Sequence, residues 1–242
     1  MSGAPKTAMV LAAGLGVRMR PITDTLPKPL VKVAGKALLD WGLDSLAAAS
    51  VEKAVVNVHY LPDQIVAHVA ARPVPEIVIS DEREGLLDSA GGIVKALPAL
   101  GGEPFFVLNA DTFWIDGPEP NLRRLAAQWD SERMDILLLL SALENATGHS
   151  GGTDFLLAAD GRLARAAGAP SGLIYAGAGI LHPRIFAGVP VAKTSLNRYF
   201  DQAIAAGRLF GMPLSGSWIT VGTPDAIQPA EAAVARALGR SE

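Results

Sequence analysis

The chain has no cysteine. No disulfide, thiolate nucleophile or cysteine-bound metal is open to it, an absence that fits a cytoplasmic protein. There are only four histidines. His59, His68, His149 and His182 each lack a second histidine or acid at metal-ligand spacing, so no histidine metal site is expected. Neither sign of charge dominates, and a net charge of −3 argues against a nucleic-acid footprint. Long apolar runs are also missing. Ile136 to Leu140 is far too short to span a bilayer, so no membrane partner is expected. No Gly-x-Ser-x-Gly elbow occurs, which leaves serine hydrolysis unsupported. There is no internal repeat, low-complexity tract or interdomain linker. Nothing in the sequence sets an oligomeric state.

At 242 residues, half of them hydrophobic, the chain can bury a real core and reads as a single domain over 1–242. The stretch Met9 to Leu30 is its most informative part. An apolar run breaks at Gly14 and Gly16 and continues as a loop with Arg18, Arg20 and Lys28. A strand feeding a glycine turn suits phosphate. Glycine lets a ligand approach the backbone, turn N–H groups make an anion-binding concavity, and arginine and lysine supply charge. From Arg18 to Lys36 there are five cations against one acid, Asp24, which favours a small anionic ligand. Two familiar glycine loops are excluded. Met19 stands where a dinucleotide fingerprint needs its third glycine, and Gly35-Lys36 is followed by Ala37 rather than Ser or Thr. An ordinary strand with an exposed basic loop is the plain alternative. Ala8 to Val17 is uncharged, follows Lys6 and has the length of a signal-peptide core, but cleavage there would discard this stretch.

Apolar strand-like runs alternate with amphipathic helices through the first half. Strands are expected at Met9–Ala12, Ala54–Val58, Ile77–Ser80, Phe105–Asn109 and Ile136–Ser141. Helices are expected at Leu38–Ala49, Pro62–Ala70, Leu122–Asp130 and, as a short helix or turn, Gly91–Leu97. This alternation predicts an α/β fold, a mixed and mostly parallel sheet with helices on both faces. After Leu143 the pattern loosens. A hairpin is expected around Asp160-Gly161, short strands at Leu173–Tyr175 and Ala178–Leu181 flanking Gly177, and a helix over Leu196–Ala206. Strands at Phe210–Pro213 and Trp218–Val221 follow, then a helix opened by Thr223-Pro224 and kinked or divided at Pro229.

Ligands of such sheets bind beyond the carboxyl ends of the strands. Gly14, Asn57-Val58-His59 and Asn109-Ala110-Asp111 all fall there. Asp111 is the candidate metal ligand, because magnesium on phosphates needs only one or two protein carboxylates; a turn-forming role is the alternative. Asn57 and His59 read as nucleotide contacts or loop supports. Ser89-Ala90-Gly91-Gly92 reads as a base-admitting loop or as a helix entry capped by Ser89. Asp154 reads as a sugar contact or simply as an acid opening a strand.

The string from Leu11 to Pro21 with Thr23, followed by Pro27-Lys28-Pro29-Leu30, resembles the signature of sugar-1-phosphate nucleotidyltransferases. Val33 to Lys36, Asn109-Ala110-Asp111, Tyr175 to Gly179 and Trp218 to Pro224 extend the likeness over most of the chain. The resemblance implies a Rossmann-like nucleotidyltransferase fold, with a nucleotide-binding half of about 1–143 and a sugar-binding half of about 144–242. It implies that Leu11, Ala12, Ala13, Gly14 and Gly16 hold the base and ribose with Asn57, Ser89 and Gly91. Arg18 and Lys28 would contact phosphates, Asp111 would hold Mg2+, and Asn109, Asp154 and Gly177 would meet the sugar. It departs at Thr220, where the family's W-x-D-V-G-T-P has an aspartate that helps hold metal. Asp111 with the triphosphate, a substitute side chain, or lost activity are the three ways to read that change. The implied substrates are a nucleoside triphosphate and a sugar 1-phosphate. UTP with N-acetylmuramate 1-phosphate is favoured over GTP with mannose 1-phosphate. A silent nucleotide-sugar sensor and a glycosyltransferase are the rivals, though the latter would want a D-x-D motif where only Asp111 supplies an acid.

Overall fold

The computed structural model of the protein describes residues 3–239. The chain opens with β1 (Thr7–Leu11), a small ribbon of β2 (Lys32–Val33) and β3 (Lys36–Ala37), and α1 (Leu38–Ala48). It continues through β4 (Lys53–Val58), α2 (Pro62–Val69), β5 (Glu76–Asp81), α3 (Asp88–Leu100) and β6 (Phe105–Asn109). Next come β7 (Thr112–Asp116), α4 (Asn121–Gln128), β8 (Ile136–Ser141), β9 (Ala146–Thr147), β10 (Phe155–Leu157) and β11 (Leu163–Arg165). The last elements are β12 (Ile174–Leu181), α5 (Asn197–Ala205), β13 (Leu209–Pro213), β14 (Gly216–Thr220) and α6 (Ile227–Ala237).

Seven strands form the main sheet in the order β13-β8-β12-β6-β1-β4-β5. All neighbours are parallel except β12, which runs antiparallel to both β6 and β8. β12 and β13, both beyond residue 144, therefore complete the sheet begun by the first part of the chain. β1 lies inside the sheet between β6 and β4, and its side chains are apolar on both faces. Val10 joins a core with Leu43 of α1, Ile65 of α2 and Leu125 of α4, while Met9 joins the opposite core with Ile93 of α3 and Phe200 of α5. The expected mixed, mostly parallel sheet with helices on both faces is the observed one. The uncharged run from Ala8 to Val17 supplies most of this interior strand and the turn after it. No helix among the described residues is long and apolar enough to cross a membrane.

Besides the short strands β2, β3 and β9, which no run in the sequence marks, the structure departs from the expectation in four places. α3 runs from Asp88 to Leu100, longer than the Gly91–Leu97 expectation, because its small residues pack closely on the strands beneath. The strand β7 is not among the expected ones; it follows Asp111 at once and pairs antiparallel with β14, and Thr112, Phe113 and Trp114 are buried in succession, so no alternation marks it. The two short strands around Gly177 are one strand, β12, whose register against β8 shifts between Tyr175 and Gly179. Pro229 does not divide a helix. It lies in the first turn of α6, where its missing N–H is not needed, and the break falls before it, between the 3₁₀ turn Pro224–Ala226 and Ile227.

Candidate active site

The parallel register sets Leu11 opposite both Asn57 and Asn109, so three strands end level with one another. A cleft of about 520 Å3 lies beyond those ends, and Leu11, Ala13, Gly14, Asn57, Ser89, Asn109 and Asp111 line it. A smaller hollow of about 220 Å3 shares Leu11, Ser89 and Asn109 with the cleft and adds Asp154, Arg165, Tyr175 and Asn197. The structure thus gathers expected nucleotide and sugar residues into two adjoining spaces. A larger hollow of about 620 Å3 lies on the far side of α1, away from the strand ends. Its charged residues are already paired with one another, Lys36 and Arg72 with Asp44 and His68 with Asp40.

The loop after β1 is built around Gly16. It sits at a left-handed φ of 64°, and its carbonyl accepts from Met19 N–H and from Thr23 Oγ1, each at 2.8 Å. A Cβ on Gly16 would come within 3.1 Å of Lys28 Cβ, so the glycine also admits the second basic segment. Tyr60 Oη donates to Thr23 O at 2.8 Å and ties this loop to the end of β4. Arg18 is exposed on the loop and has no ion pair among the described residues, whereas its neighbour Arg20 is paired with Asp24. The Arg18 guanidinium lies beside Gly222, 3.6 Å from where a Cβ would stand. The loop and the Val221-Gly222-Thr223 segment thereby share one edge of the site.

Lys28 Nζ donates to Asp111 Oδ2 at 2.7 Å, with side-chain exposures of 10% and 39%. The ammonium is thus largely withdrawn from water while the carboxylate stays open to the cleft. A withdrawn ammonium needs a counter-charge, and Asp111 provides it. β14 brings Thr220 opposite Thr112, next along the chain from Asp111, and Val221 N–H donates to Asp111 O at 3.3 Å. The departure at Thr220 is therefore beside Asp111 in space. No group of three or more acids, histidines or cysteines that could hold a metal ion occurs among the described residues. One open carboxylate is still a fitting donor for Mg2+ that takes its remaining oxygens from phosphates and water.

In the smaller hollow, Tyr175 Oη is buried without a hydrogen-bond partner. Burial and the nearby Asp154 charge push this phenol well above its usual range, so it keeps its proton. Asp154 Oδ2 accepts from Tyr175 N–H at 2.8 Å. Gly177, at φ 77°, packs its Cα against Thr112 and Asn109; a Cβ would meet Thr112 Oγ1 at 2.5 Å. Gly91 does not line the cleft. The space a Cβ would need is taken by Ala192 O, 2.3 Å away, and Gly91 N–H donates to Thr194 O at 3.1 Å. Its smallness serves a strap, residues 192–196, that is laid across the first turn of α3. Gly91→Ala should accordingly lower unfolding free energy by about 1–3 kcal/mol, measured by urea denaturation, since backbone rather than a flexible tip must move. Ser89 Oγ accepts from Leu196 N–H at 2.8 Å, so it anchors this strap rather than capping the helix.

Sequence reasoning missed Lys193, Leu86 and Asp88, which also line the cleft. Lys193 sits on the irregular strap, where no periodicity marks it, and it has no ion pair among the described residues.

A glycine turn beside an open carboxylate, at the carboxyl ends of a Rossmann-like sheet, belongs with nucleotidyltransferases. The chain is a member of the MobA-like NTP transferase domain family, whose model matches residues 8–171. It is 48% identical to the N-acetylmuramate alpha-1-phosphate uridylyltransferase of Caulobacter vibrioides over 98% of this chain and 100% of that one. It is 36% identical to the protein of that name from Neisseria meningitidis serogroup B, over 93% of this chain and 96% of the other. Mannose-1-phosphate guanylyltransferases are more distant relatives. In fold it is similar to the inositol-1-phosphate CTP transferase of T. maritima, with a TM-score of 0.79, 18% identity and coverage of 99% of this chain and 97% of that one. The protein is a sugar-1-phosphate nucleotidyltransferase.

Proposed function

We propose that the protein transfers the uridylyl group of UTP to N-acetylmuramate 1-phosphate, releasing pyrophosphate, in the cytoplasm where nucleoside triphosphates are made. The observation that carries the chemistry is the Lys28–Asp111 pair, set at 2.7 Å with Asp111 lining the cleft beyond β1 and β6. The substrate pair follows the relative that aligns with this chain from end to end.

In this reading a phosphate oxygen of the sugar phosphate attacks the α-phosphorus of UTP in line. The bond to the bridging oxygen breaks and pyrophosphate leaves with its electron pair. Such a reaction needs positioning and charge neutralisation more than covalent catalysis. The Leu11 to Gly14 backbone, Gly16, Asn57 and Ser89 would shape the nucleotide space. Arg18 would meet the charge on the leaving pyrophosphate, and Lys28 would hold phosphate near the reacting centre. Asp111 would tether Mg2+, which supplies Lewis-acid neutralisation of the phosphates when bound. Asn109, Asp154 and the Gly177 backbone would meet the sugar, with the Tyr175 hydroxyl free to join them. N-acetylmuramate carries a lactyl carboxylate that a neutral hexose lacks, and Lys193, which has no ion pair among the described residues, is the cleft cation suited to it. The functional division into a nucleotide half of about 1–143 and a sugar half of about 144–242 goes with this assignment.

Pyrophosphate release with UTP or GTP, each crossed with N-acetylmuramate 1-phosphate or mannose 1-phosphate and with Mg2+ present, tests the proposal. UTP with N-acetylmuramate 1-phosphate is expected to give by far the highest kcat/KM. A highest value for GTP with mannose 1-phosphate would replace the substrate assignment. Binding of UDP-sugar without any pyrophosphate release would instead support a silent sensor, the reading that Thr220 motivates.

A further inference from the structure

Glu82 is 1% exposed and carries no cation partner among the described residues, and the reaction as drawn above does not use it. Its carboxylate is held by two neutral donors. Oε1 accepts from Asn57 Nδ2 at 2.7 Å, and Oε2 accepts from Leu87 N–H at 3.1 Å. Asn57, 2% exposed, turns its other end to the strand: Oδ1 accepts from Ala12 N–H at 2.7 Å. A continuous chain of hydrogen bonds therefore runs from Ala12 through Asn57 and Glu82 to Leu87, with donors converging on Glu82 from both sides. It joins the strand end on one side of the cleft to the segment carrying Leu86, Asp88 and Ser89 on the other. Gly92 makes room for it, since a Cβ there would lie 2.7 Å from Glu82 Oε1 and 2.8 Å from Asn57 Nδ2.

We infer that Glu82 is a positioning residue for the nucleotide. It sets the orientation of the Asn57 amide and thereby the spacing between the Ala12–Gly14 strand end and the Leu86–Ser89 wall. The reason a carboxylate is required is one of donor count. Ala12 N–H, the Asn57 amide nitrogen and Leu87 N–H all donate, so the middle group must accept on both sides. An amide at position 82 cannot. Whichever way it turns, one N–H faces another, either at Leu87 or at Asn57; flipping Asn57 only moves the clash to Ala12. A buried unpaired donor of this kind is expensive.

The same logic gives a reciprocal pair of substitutions. In N57D/E82Q the carboxylate at position 57 accepts from Ala12 N–H and from the new amide at position 82. The carbonyl of that amide accepts from Leu87 N–H, so every donor is matched and the buried charge stays at one. In N57D alone two carboxylates face each other.

The inference rests on a nucleotide occupying this cleft, so wild-type protein is first assayed for UTP turnover; absence of turnover there would speak against the functional reading and not the relay. E82Q and N57D are then each expected to raise KM for UTP by on the order of tenfold or more, with KM for the sugar phosphate within about twofold. N57D/E82Q should bring KM for UTP back to within about threefold of wild type. A double variant that is no better than the worse single one, whether through lost folding or lost binding, would overturn the relay. So would single variants that raise both KM values equally, as a general loss of structure would.

Discussion

Arg18→Ala is expected to lower kcat by on the order of 10²–10³-fold while KM for UTP changes by no more than a few fold. The guanidinium is exposed and unpaired among the described residues, unlike Arg20 and Lys28, which are committed to Asp24 and Asp111. Its position is nevertheless defined. The turn below it is closed by Met19 N–H and Thr23 Oγ1 on the Gly16 carbonyl, and Tyr60 holds Thr23 from outside. A cation carried on a hydrogen-bonded turn has its backbone anchor fixed before the substrate arrives, so only the side chain has to settle on the phosphates. Charge accumulates on the departing pyrophosphate only as the bond to the α-phosphorus breaks. An interaction that strengthens along that path accelerates the chemical step rather than tightening the ground state. The loss should therefore fall on kcat. Arg18→Lys should recover only part of it, because a point charge cannot make the two-pronged contact of a guanidinium with phosphate oxygens. Steady-state kinetics of both variants with UTP varied at saturating sugar phosphate measure the split. Turnover close to wild type in Arg18→Ala would remove Arg18 from the reaction.

The residues legible in the sequence are those whose meaning is local. Gly14, Gly16, Arg18 and Lys28 lie within one short stretch, and the glycines there have a chemical reason that can be stated without coordinates. Asn57, Asn109 and Asp111 were legible for a different reason: each closes a continuous apolar strand, and parallel strands end on the same side. The main sheet followed from the same runs, because side chains apolar on both faces can only be buried between helices. What the sequence hid depends on contacts between distant segments. Glu82 looks like one more acid in the run Asp81 to Asp88, yet it is buried while Asp81, Arg83 and Glu84 around it are exposed. Only the meeting of β4, β5 and α3 reveals the difference. Gly91 read as a base contact because glycine before a helix admits ligands, but the 192–196 strap, some hundred residues on, occupies that space. Lys193 had no pattern at all to betray it. β7 escaped for want of a partner in view; its pairing with β14 also explains why the Trp218 to Pro224 segment sits at the site, since Thr220 is drawn beside Asp111.

Asp111→Asn should cost at least about 10³-fold in kcat/KM, the largest effect of any single change here, because it removes two things together. The first is the carboxylate that would tether Mg2+ to the protein, in a site where β14 offers a hydroxyl at Thr220 and no second acid. The second is the counter-charge of Lys28, whose ammonium is then left 10% exposed with a neutral neighbour. Lys28→Met separates the two. It abolishes the phosphate contact but leaves Asp111, with 39% of its side chain open to water, able to bear its charge without a partner. Asp111→Asn should accordingly lower Tm as well as activity, and Lys28→Met should lower activity with a smaller change in Tm. Thr220→Asp probes the same centre from the other strand. A second carboxylate beside Asp111 should reduce the Mg2+ concentration needed for half-maximal turnover, and in metal-free buffer it should destabilise the fold by like-charge repulsion that added Mg2+ relieves. Thermal melts with and without Mg2+, set beside turnover as a function of Mg2+, read both effects. If the Thr220→Asp variant shows no shift in its Mg2+ requirement and no Mg2+-dependent gain in Tm, Thr220 does not face the metal. The single carboxylate of Asp111 would then have to act with oxygens supplied by the substrate and water.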